Sequence, residues 1–261
     1  MSNRDGGSRL QDSAIVVTEL DGDWWRNPPA VELVSNEIHV WQFTLNVPES
    51  TLDRYTELLS TDEKQKAGRF HFQRDTRRFT VTRATMRSIL GPYVQSGPGE
   101  LQFRYSEHGK PRIKNPARDI RFNVSHSGEE AVVAIVSGRE IGVDVEQIRD
   151  NVEIDSLAER FFSSAEKDFL RGLPHEKKLS TFFRFWTCKE AFLKAQAVGL
   201  TRSLASFTVD LTTTRPSLLA AAETRGEESQ WSLLELACQT GYASALAVEG
   251  LIGAVRIFRQ R

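Results

Sequence analysis

The stretch Ile141-Gly142-Val143-Asp144-Val145-Glu146 decides how the fold and the candidate site of this 261-residue chain are interpreted. Apolar residues alternate with Asp144 and Glu146, a pattern typical of a strand with one buried face. Because residues i and i+2 of a strand point the same way, the two carboxylates should share one face while the apolar side chains anchor the other. This geometry predicts two oxygen ligands for one divalent cation.

A third carboxylate lies in a segment that the sequence predicts to be helical, Trp186-Thr187-Cys188-Lys189-Glu190-Ala191-Phe192-Leu193-Lys194. Glu190 and Lys194 are one turn apart and therefore face the same side of the helix. Each pair alone is more typical of a solvated face or a surface ion pair. Together, three carboxylates and neighbouring lysines favour a magnesium ion that holds substrate phosphates, and so predict phosphate chemistry.

Composition excludes several classes of protein. With 39% hydrophobic residues the chain can bury a core, and its two cysteines, Cys188 and Cys238, cannot form a disulfide framework, so we expect a reducing, cytoplasmic location. No apolar run approaches the ~20 residues of a membrane span, and residues 1–13 lack the hydrophobic core of a signal peptide. A net charge of -1 argues against a nucleic-acid partner.

The first half of the chain shows a simple order of predicted elements. Alternation predicts a strand over 37–45. The capping box Ser60-x-x-Glu63 then opens a helix, and a second helix should run from about residue 75 to residue 90, where Gly91-Pro92 ends it.

The second half repeats this order. The strand over 141–146 precedes the capping box Ser163-x-x-Glu166, 103 residues after the first box, and a long helix over 175–197. The repeat predicts an α+β fold, a pseudo-two-fold duplication of two similar α+β lobes with antiparallel sheets and a ligand site at the seam. It also predicts a monomer, because the second lobe replaces a partner subunit.

Three regions are expected along the chain: a tail and irregular segment over 1–36, an N-terminal α+β lobe over 37–140 and a C-terminal α+β lobe over 141–261. Tryptophans in the first region should pack onto the body of the protein. In the last region, four segments should pair in an antiparallel sheet. These are 206–211, 230–236, 242–248 and 254–258.

A polar stretch, Arg121-Phe122-Asn123-Val124-Ser125-His126-Ser127-Gly128, comes before the carboxylate strand. The apolar strand that follows it should turn at Ser137-Gly138 and form a hairpin with 141–146, which would bring His126 near the carboxylates. Ser125 and His126 can donate hydrogen bonds to a phosphate, although a lone histidine is more often a surface or satisfied residue.

Three blocks, in this order and spacing, resemble the signatures of the 4′-phosphopantetheinyl transferases: 122–127, 141–146 and 185–194. The turn Gly109-Lys110-Pro111 and the basic segment that contains Lys66 and Arg78 extend the resemblance from about residue 37 to residue 250. The doubled length is similar to the Sfp type rather than to the short type whose single units assemble as trimers.

The resemblance implies an enzyme of the holo-[acyl-carrier-protein] synthase type, which uses Mg²⁺ and transfers the 4′-phosphopantetheine group of coenzyme A. The acceptor is a serine of an apo acyl, peptidyl or aryl carrier protein, and adenosine 3′,5′-bisphosphate is released. It implies that Asp144, Glu146 and Glu190 bind the metal. Glu190 would also take the serine proton, and Lys194 would stabilise or protonate the leaving phosphate. The implied coenzyme A contacts are Lys66, Arg78, Lys110, Ser125, His126, Lys189 and Lys194.

Two other classes of function stay open at this point. A metal-dependent phosphoesterase would use the same carboxylates with water as the nucleophile. A non-enzymatic binder of coenzyme A or of carrier proteins would keep the fold without the chemistry. Hydrolysis of a phosphodiester with no carrier protein present would favour the phosphoesterase. Tight binding of coenzyme A without transfer to any carrier would favour the binding protein.

Overall fold

The computed structural model describes residues 14–198, 201–219, 226 and 230–261. Residues 1–13 of the predicted tail lie outside the described residues. In the described part the chain forms six α-helices: α1 (Glu49–Glu57), α2 (Thr61–Ala67), α3 (Gln73–Val94), α4 (Ile154–Phe161), α5 (Ser164–Arg171) and α6 (His175–Gln196). Among these described helices, none is long and apolar enough to span a bilayer.

Most β-strands belong to the two main sheets. The strands are β1 (Ile15–Leu20), β2 (Glu37–Thr44), β3 (Phe103–Tyr105), β4 (Pro111–Ile113), β5 (Ile120–Ser127), β6 (Glu130–Ser137), β7 (Ile141–Gln147), β8 (Thr208–Asp210), β9 (Ser217–Leu219), β10 (Trp231–Glu235), β11 (Tyr242–Glu249) and β12 (Ala254–Gln260). One sheet has the order β1-β12-β2-β6-β5 and the other has the order β10-β11-β7, while β3-β4 and β8-β9 are short hairpins. Since β2, β6 and β5 pair antiparallel, as do β7, β11 and β10, the predicted α+β class is confirmed.

The last strand corrects one prediction. Segment 254–258 was expected to pair antiparallel with the other late strands, but β12 pairs in parallel with β2 on one side and β1 on the other. The physical reason is burial: Val255 and Ile257 of β12 join Ile38 and Val40 of β2 in the apolar layer between the two sheets. Strand β1 itself lies in the segment that the sequence predicts to be irregular. Trp24 is buried against the core, as expected.

Strands β6 and β7 do not form the predicted hairpin. Strand β6 pairs with β2 and β5, whereas β7 pairs with β11, so the turn at Ser137-Gly138 leads from one sheet to the other. The two sheets pack over a shared apolar layer to which β6 contributes Val132 and β7 contributes Val143. Core packing between the sheets therefore takes the place of the hairpin.

Helices α3 and α6 show the duplication most clearly. Each has 22 residues, and each ends at a residue in the left-handed region, Gln95 (φ 54°) and Ala197 (φ 56°). The capping boxes at Ser60 and Ser163 are both present. The division into lobes over 37–140 and 141–261 stays a prediction, and β12 extends the sheet that contains β2.

Helix α3 is longer than the sequence predicts, because it continues through Gly91-Pro92 to Val94. A proline in the last turn removes a single hydrogen bond, to the carbonyl four residues earlier, so the helix tolerates it there. The left-handed Gln95, rather than the proline, ends the helix.

Gly142 of β7 lies against the backbone of α6. A Cβ at this position would be 2.0 Å from the carbonyl oxygen of Ala191 and 2.3 Å from the amide nitrogen of Ala195. Real Cβ atoms do not approach backbone atoms so closely, so any side chain at residue 142 would push β7 and α6 apart.

We expect Gly142→Ala to lower the free energy of unfolding by about 3 kcal/mol, the upper part of the usual cost of overpacking. Gly99→Ala is the matched control, because a Cβ there meets nothing within 4 Å. Urea denaturation of both variants measures the difference. Equal stability of the two variants would contradict the tight contact between β7 and α6.

Candidate functional site

Asp144 is the centre of a polar cluster on β7. Its buried carboxylate accepts hydrogen bonds at Oδ1 from Ser125 Oγ (2.8 Å) and Lys194 Nζ (2.5 Å). Lys194 Nζ also donates to Ser125 Oγ at 2.9 Å. Oδ2 of Asp144 is buried and has no hydrogen-bond partner among the described residues. Because a buried carboxylate oxygen without a partner is costly, this atom suits a bound cation.

Glu146 and Glu190 bring two further carboxyl groups to the same cluster. Burial raises the pKa of Glu146, and the negative charge of Asp144 raises it further, against a hydrogen bond from Ser127. Burial also raises the pKa of Glu190; the charges of Asp144 and Glu146 add to this effect and Lys194 opposes it. The charge of Asp144 thus raises the pKa of both glutamates, so the three acidic groups are close enough to influence one another.

This donor set fits magnesium without forming a closed metal site. Among the described residues, no three His, Cys, Asp or Glu side chains converge closely enough to hold a metal ion by themselves. The sequence reasoning expected Asp144, Glu146 and Glu190 to hold the metal together with substrate phosphates, and this assignment stays a prediction. Magnesium commonly uses one or two carboxylates and completes its coordination with water and substrate phosphates. The unpartnered oxygen of Asp144 is consistent with that partial mode of binding.

A cavity of about 570 Å³ opens beside the cluster, between the two halves of the chain. One wall comes from α6 and includes Glu190 and Lys194. The other walls come from the first half, from α2, α3, β5 and the turn before β4. The cavity therefore lies where the duplication predicts a ligand site, and its size is in the range of small-molecule sites.

Of the two predicted contacts in the basic segment, Lys66 lies at the cavity, and its role there stays a prediction. It lines the cavity, is exposed, and holds its ammonium 5.3 Å from the ring centroid of Phe79. Arg78 is on the next helix, where it pairs with Glu129 at 2.5 Å and borders a separate groove of about 700 Å³. Lys66 is thus the better placed of the two cations to meet a ligand in the cavity.

His126 lies at the edge of the polar cluster. Its side chain keeps an exposed surface, and its charged neighbours include Lys194, Arg78 and Asp75. Desolvation by the surrounding protein lowers the pKa of His126, and the positive charges of Lys194 and Arg78 lower it further. A neutral imidazole can donate one hydrogen bond, which suits a contact with a phosphate oxygen.

The position of Lys110 corrects the expectation that its ammonium contacts phosphate. Lys110 lines the cavity, but its Nζ donates to Glu140 Oε2 (3.1 Å), Ile141 O (2.9 Å) and Ala195 O (3.0 Å). An ammonium has three donors, and all three have protein acceptors here. Lys110 therefore ties the start of β7 to the end of α6.

Lys189 is also placed differently from the expectation. Its side chain is fully buried, and Nζ donates to Glu166 Oε1 and to Phe207 O, both at 2.6 Å. Glu166 is the acidic residue of the second capping box and also accepts the amide of Val209 at 2.7 Å. The predicted coenzyme A contact is thus replaced by a structural ion pair that joins α5 to α6.

Three residues near the site were not assigned a role in it by the sequence reasoning. Arg83 builds the cavity wall through Glu63 Oε1 (2.7 Å) and the hydroxyl of Tyr105 (2.7 Å). Asn123 and Ser127 flank Ser125 on β5 and bond to β7. The signal for the last two was present, because Asn123, Ser125 and Ser127 recur with the period of two that places side chains on one strand face.

Comparison with known proteins decides the family. A family model of the 4′-phosphopantetheinyl transferase superfamily matches residues 140–247, and one described as 4′-phosphopantetheinyl transferase, N-terminal, matches residues 45–138. The 4′-phosphopantetheinyl transferase HetI of Nostoc sp. is 41% identical over 233 residues, which cover 88% of this chain and 95% of HetI. The chain belongs to the 4′-phosphopantetheinyl transferase family.

Other relatives of this phosphopantetheinyl transferase are more distant. The 4′-phosphopantetheinyl transferase Sfp of Bacillus subtilis is 32% identical over 159 residues, which cover 61% of this chain and 69% of Sfp. A holo-(acyl-carrier-protein) synthase from Bacillus anthracis, solved in complex with coenzyme A (3′,5′-ADP), is 23% identical with a TM-score of 0.35; the match covers 43% of this chain and 96% of that one. The Sfp-type assignment made from the motifs is confirmed by the family models and by the curated relatives.

We expect Lys189→Met to lower the free energy of unfolding of this phosphopantetheinyl transferase by about 3–5 kcal/mol, because it leaves the buried carboxylate of Glu166 unpaired. Lys66→Met removes the same charge from an exposed site and should change it by about 0.5 kcal/mol or less. Urea denaturation distinguishes the two variants. A Lys189→Met protein as stable as wild type would rule out the structural role of this ion pair.

Proposed function

We propose that this enzyme transfers the 4′-phosphopantetheine group of coenzyme A to a serine of an apo acyl, peptidyl or aryl carrier protein, in a reaction that depends on Mg²⁺. The products are the holo-carrier protein and adenosine 3′,5′-bisphosphate. The protein would act as a monomer, since both sides of the cavity come from one chain. We propose a cytoplasmic location, because its two cysteines cannot form a disulfide framework.

One observation carries the proposal. Asp144, Ser125 and Lys194 form a hydrogen-bonded unit, and Glu190 and Lys194 lie at the wall of a cavity that the two halves enclose. The arrangement supports roles for Lys194 as the cation, Glu190 as the base and the carboxylates as metal ligands, beside a space large enough for part of a nucleotide cofactor. The similarity to HetI, which is named for this activity and is matched over 95% of its length, supports the proposal.

Residues of this chain have separate tasks in the proposed transfer. The serine oxygen of the carrier attacks the phosphorus that bears pantetheine, and the bond from this phosphorus to the bridging oxygen breaks. The serine proton passes to Glu190, whose side chain lines the cavity. The bridging electron pair leaves with adenosine 3′,5′-bisphosphate, whose new negative charge Lys194 stabilises.

Binding of the cofactor is assigned to a smaller set than the motifs suggest. Lys66 and Lys194 line the cavity, Ser125 bonds to Lys194, and His126 lies near the charge of Lys194, so we propose these four residues as phosphate contacts. Asp144, Glu146 and Glu190 would hold magnesium, which when bound would neutralise charge on the pyrophosphate oxygens. Lys110 and Lys189 hold the fold around them.

The test is incubation of the purified protein with coenzyme A, MgCl₂ and a panel of apo carrier proteins, with and without EDTA. We expect the carrier to gain the mass of one phosphopantetheine group, and EDTA to prevent this. Hydrolysis of a phosphodiester in the absence of a carrier would indicate a phosphoesterase instead. Coenzyme A binding without transfer to any carrier would indicate a binding protein.

We expect Glu190→Gln to lower the transfer rate by about 10²–10⁴-fold, the usual contribution of a general base. The fold should survive, because the amide replaces a carboxylate that other acidic groups repel. Glu176→Gln is the matched control, since Glu176 is exposed in the first turn of the same helix. Near-normal turnover by Glu190→Gln would remove Glu190 from the proposed mechanism.

A further inference from the structure

Strands β5 and β7 are neighbours without a shared backbone ladder. Strand β5 is the edge of the five-stranded sheet, and β7 is the edge of the three-stranded sheet. Two edges of this kind present backbone donors and acceptors that need partners. In this protein, side chains of β5 supply the partners along β7.

Three residues of β5 build this connection. Asn123 Oδ1 accepts the amide of Val143 at 2.9 Å, and Ser125 Oγ donates to Asp144 Oδ1 at 2.8 Å. Ser127 Oγ donates to Glu146 Oε2 at 2.7 Å. Because these β5 residues are spaced by two, all of them face β7, and successive contacts run along it in the same direction.

The hydroxyl of Ser127 has a fixed orientation. Its oxygen accepts the amide of Gln147 at 3.2 Å, while its single proton is donated to Glu146 Oε2. The amide belongs to the backbone of β7, which is held by its ladder with β11. A hydroxyl that is held at both atoms in this way restricts the rotation of the carboxylate that it contacts.

We propose that Ser127 is a positioning residue for the metal site: it holds the carboxylate of Glu146 by one oxygen so that the other oxygen is directed to the cation. Ser125 holds Asp144 by Oδ1 in the same manner and leaves Oδ2 without a protein partner. The same pattern at two successive carboxylates distinguishes this arrangement from a chance contact. The inference rests on the proposed magnesium-dependent function.

The hydrogen bond from Ser127 restricts the carboxylate of Glu146 before the metal binds, so less rotational freedom is lost on binding. Residues that hydrogen-bond metal ligands fix ligand orientation, and their removal typically weakens metal affinity about 10- to 100-fold. Glu146 has no second hydrogen-bond donor among the described side chains, so the loss of Ser127 would leave its carboxylate free to rotate. The next residue, Gly128, has no side chain that could donate a replacement hydrogen bond to Glu146.

The experiment compares wild type with Ser127→Ala, Ser127→Thr and Ser232→Ala. Ser232→Ala is the matched control. Ser232 is on β10, and its half-buried hydroxyl donates to Gly250 O at 2.7 Å. MgCl₂ is titrated by calorimetry into each protein saturated with coenzyme A, and the magnesium dependence of carrier modification is measured in parallel. Urea denaturation midpoints report any loss of stability common to the two alanine variants.

We expect Ser127→Ala to raise the magnesium dissociation constant, and the magnesium concentration for half-maximal transfer, by about 10- to 100-fold. Most of the maximal rate should return at saturating magnesium. Ser127→Thr should restore affinity because it keeps the hydroxyl, and Ser232→Ala should bind magnesium as wild type does.

Two results would overturn the inference in different ways. If wild type binds magnesium and Ser127→Ala binds it equally well, Ser127 does not position Glu146, while the proposed function stands. If wild type neither binds magnesium nor needs it for transfer, the proposed magnesium dependence fails and the inference fails with it. Equal weakening by Ser127→Ala and Ser232→Ala would show a general loss of stability and would likewise contradict positioning.

Discussion

The backbone contact between β7 and α6 at Gly142 fixes the two elements that bring the three carboxylates of the site together. Asp144 follows Gly142 on β7, while the α6 atoms nearest to Gly142 belong to Ala191 and Ala195, the residues directly after Glu190 and Lys194. One contact therefore sets the distance between the carboxylate strand and the helix that carries Glu190 and Lys194. Lys110 reinforces it by bonding Ile141 O and Ala195 O together. A cavity-lining cation is in this way part of the framework.

Helix α6 combines a structural and a chemical role in adjacent residues. Successive residues of an α-helix are separated by about 100° of rotation, so Lys189 and Glu190 cannot face the same way. Lys189 turns into the core and pairs with Glu166, whereas Glu190 faces the cavity. Helix α3 repeats the structural half of this arrangement, with Arg87 Nε bonded to Glu63 Oε2 at 2.7 Å. The capping-box glutamate thus anchors the long helix in both halves.

The sequence predicted what depends on near neighbours. Capping boxes, the 22-residue α6 and the alternation of β7 are local patterns, and the structure confirms them. It did not predict the parallel pairing of β12 with β2, because the choice between two sheets depends on which apolar layer Val255 completes. The family motifs likewise singled out Lys110 and Lys189, but as coenzyme A contacts rather than as parts of the framework. The direction of a lysine side chain depends on acceptors such as Ala195 O and Phe207 O, which are far away in sequence.

The charged groups of the site lower the stability of the protein when no ligand is bound. Burial and mutual repulsion raise the pKa of both Glu146 and Glu190, which means that ionising them costs more here than in water. Lys194 bonds to Asp144, yet one buried oxygen of that carboxylate stays without a partner. Such a cluster is not explained by the stability of the fold, since replacing buried charges with apolar groups commonly leaves the free energy of unfolding unchanged or raises it. The cluster becomes favourable when a divalent cation neutralises the carboxylates and a phosphate meets the lysine, and both requirements are met by the proposed magnesium-bound pyrophosphate.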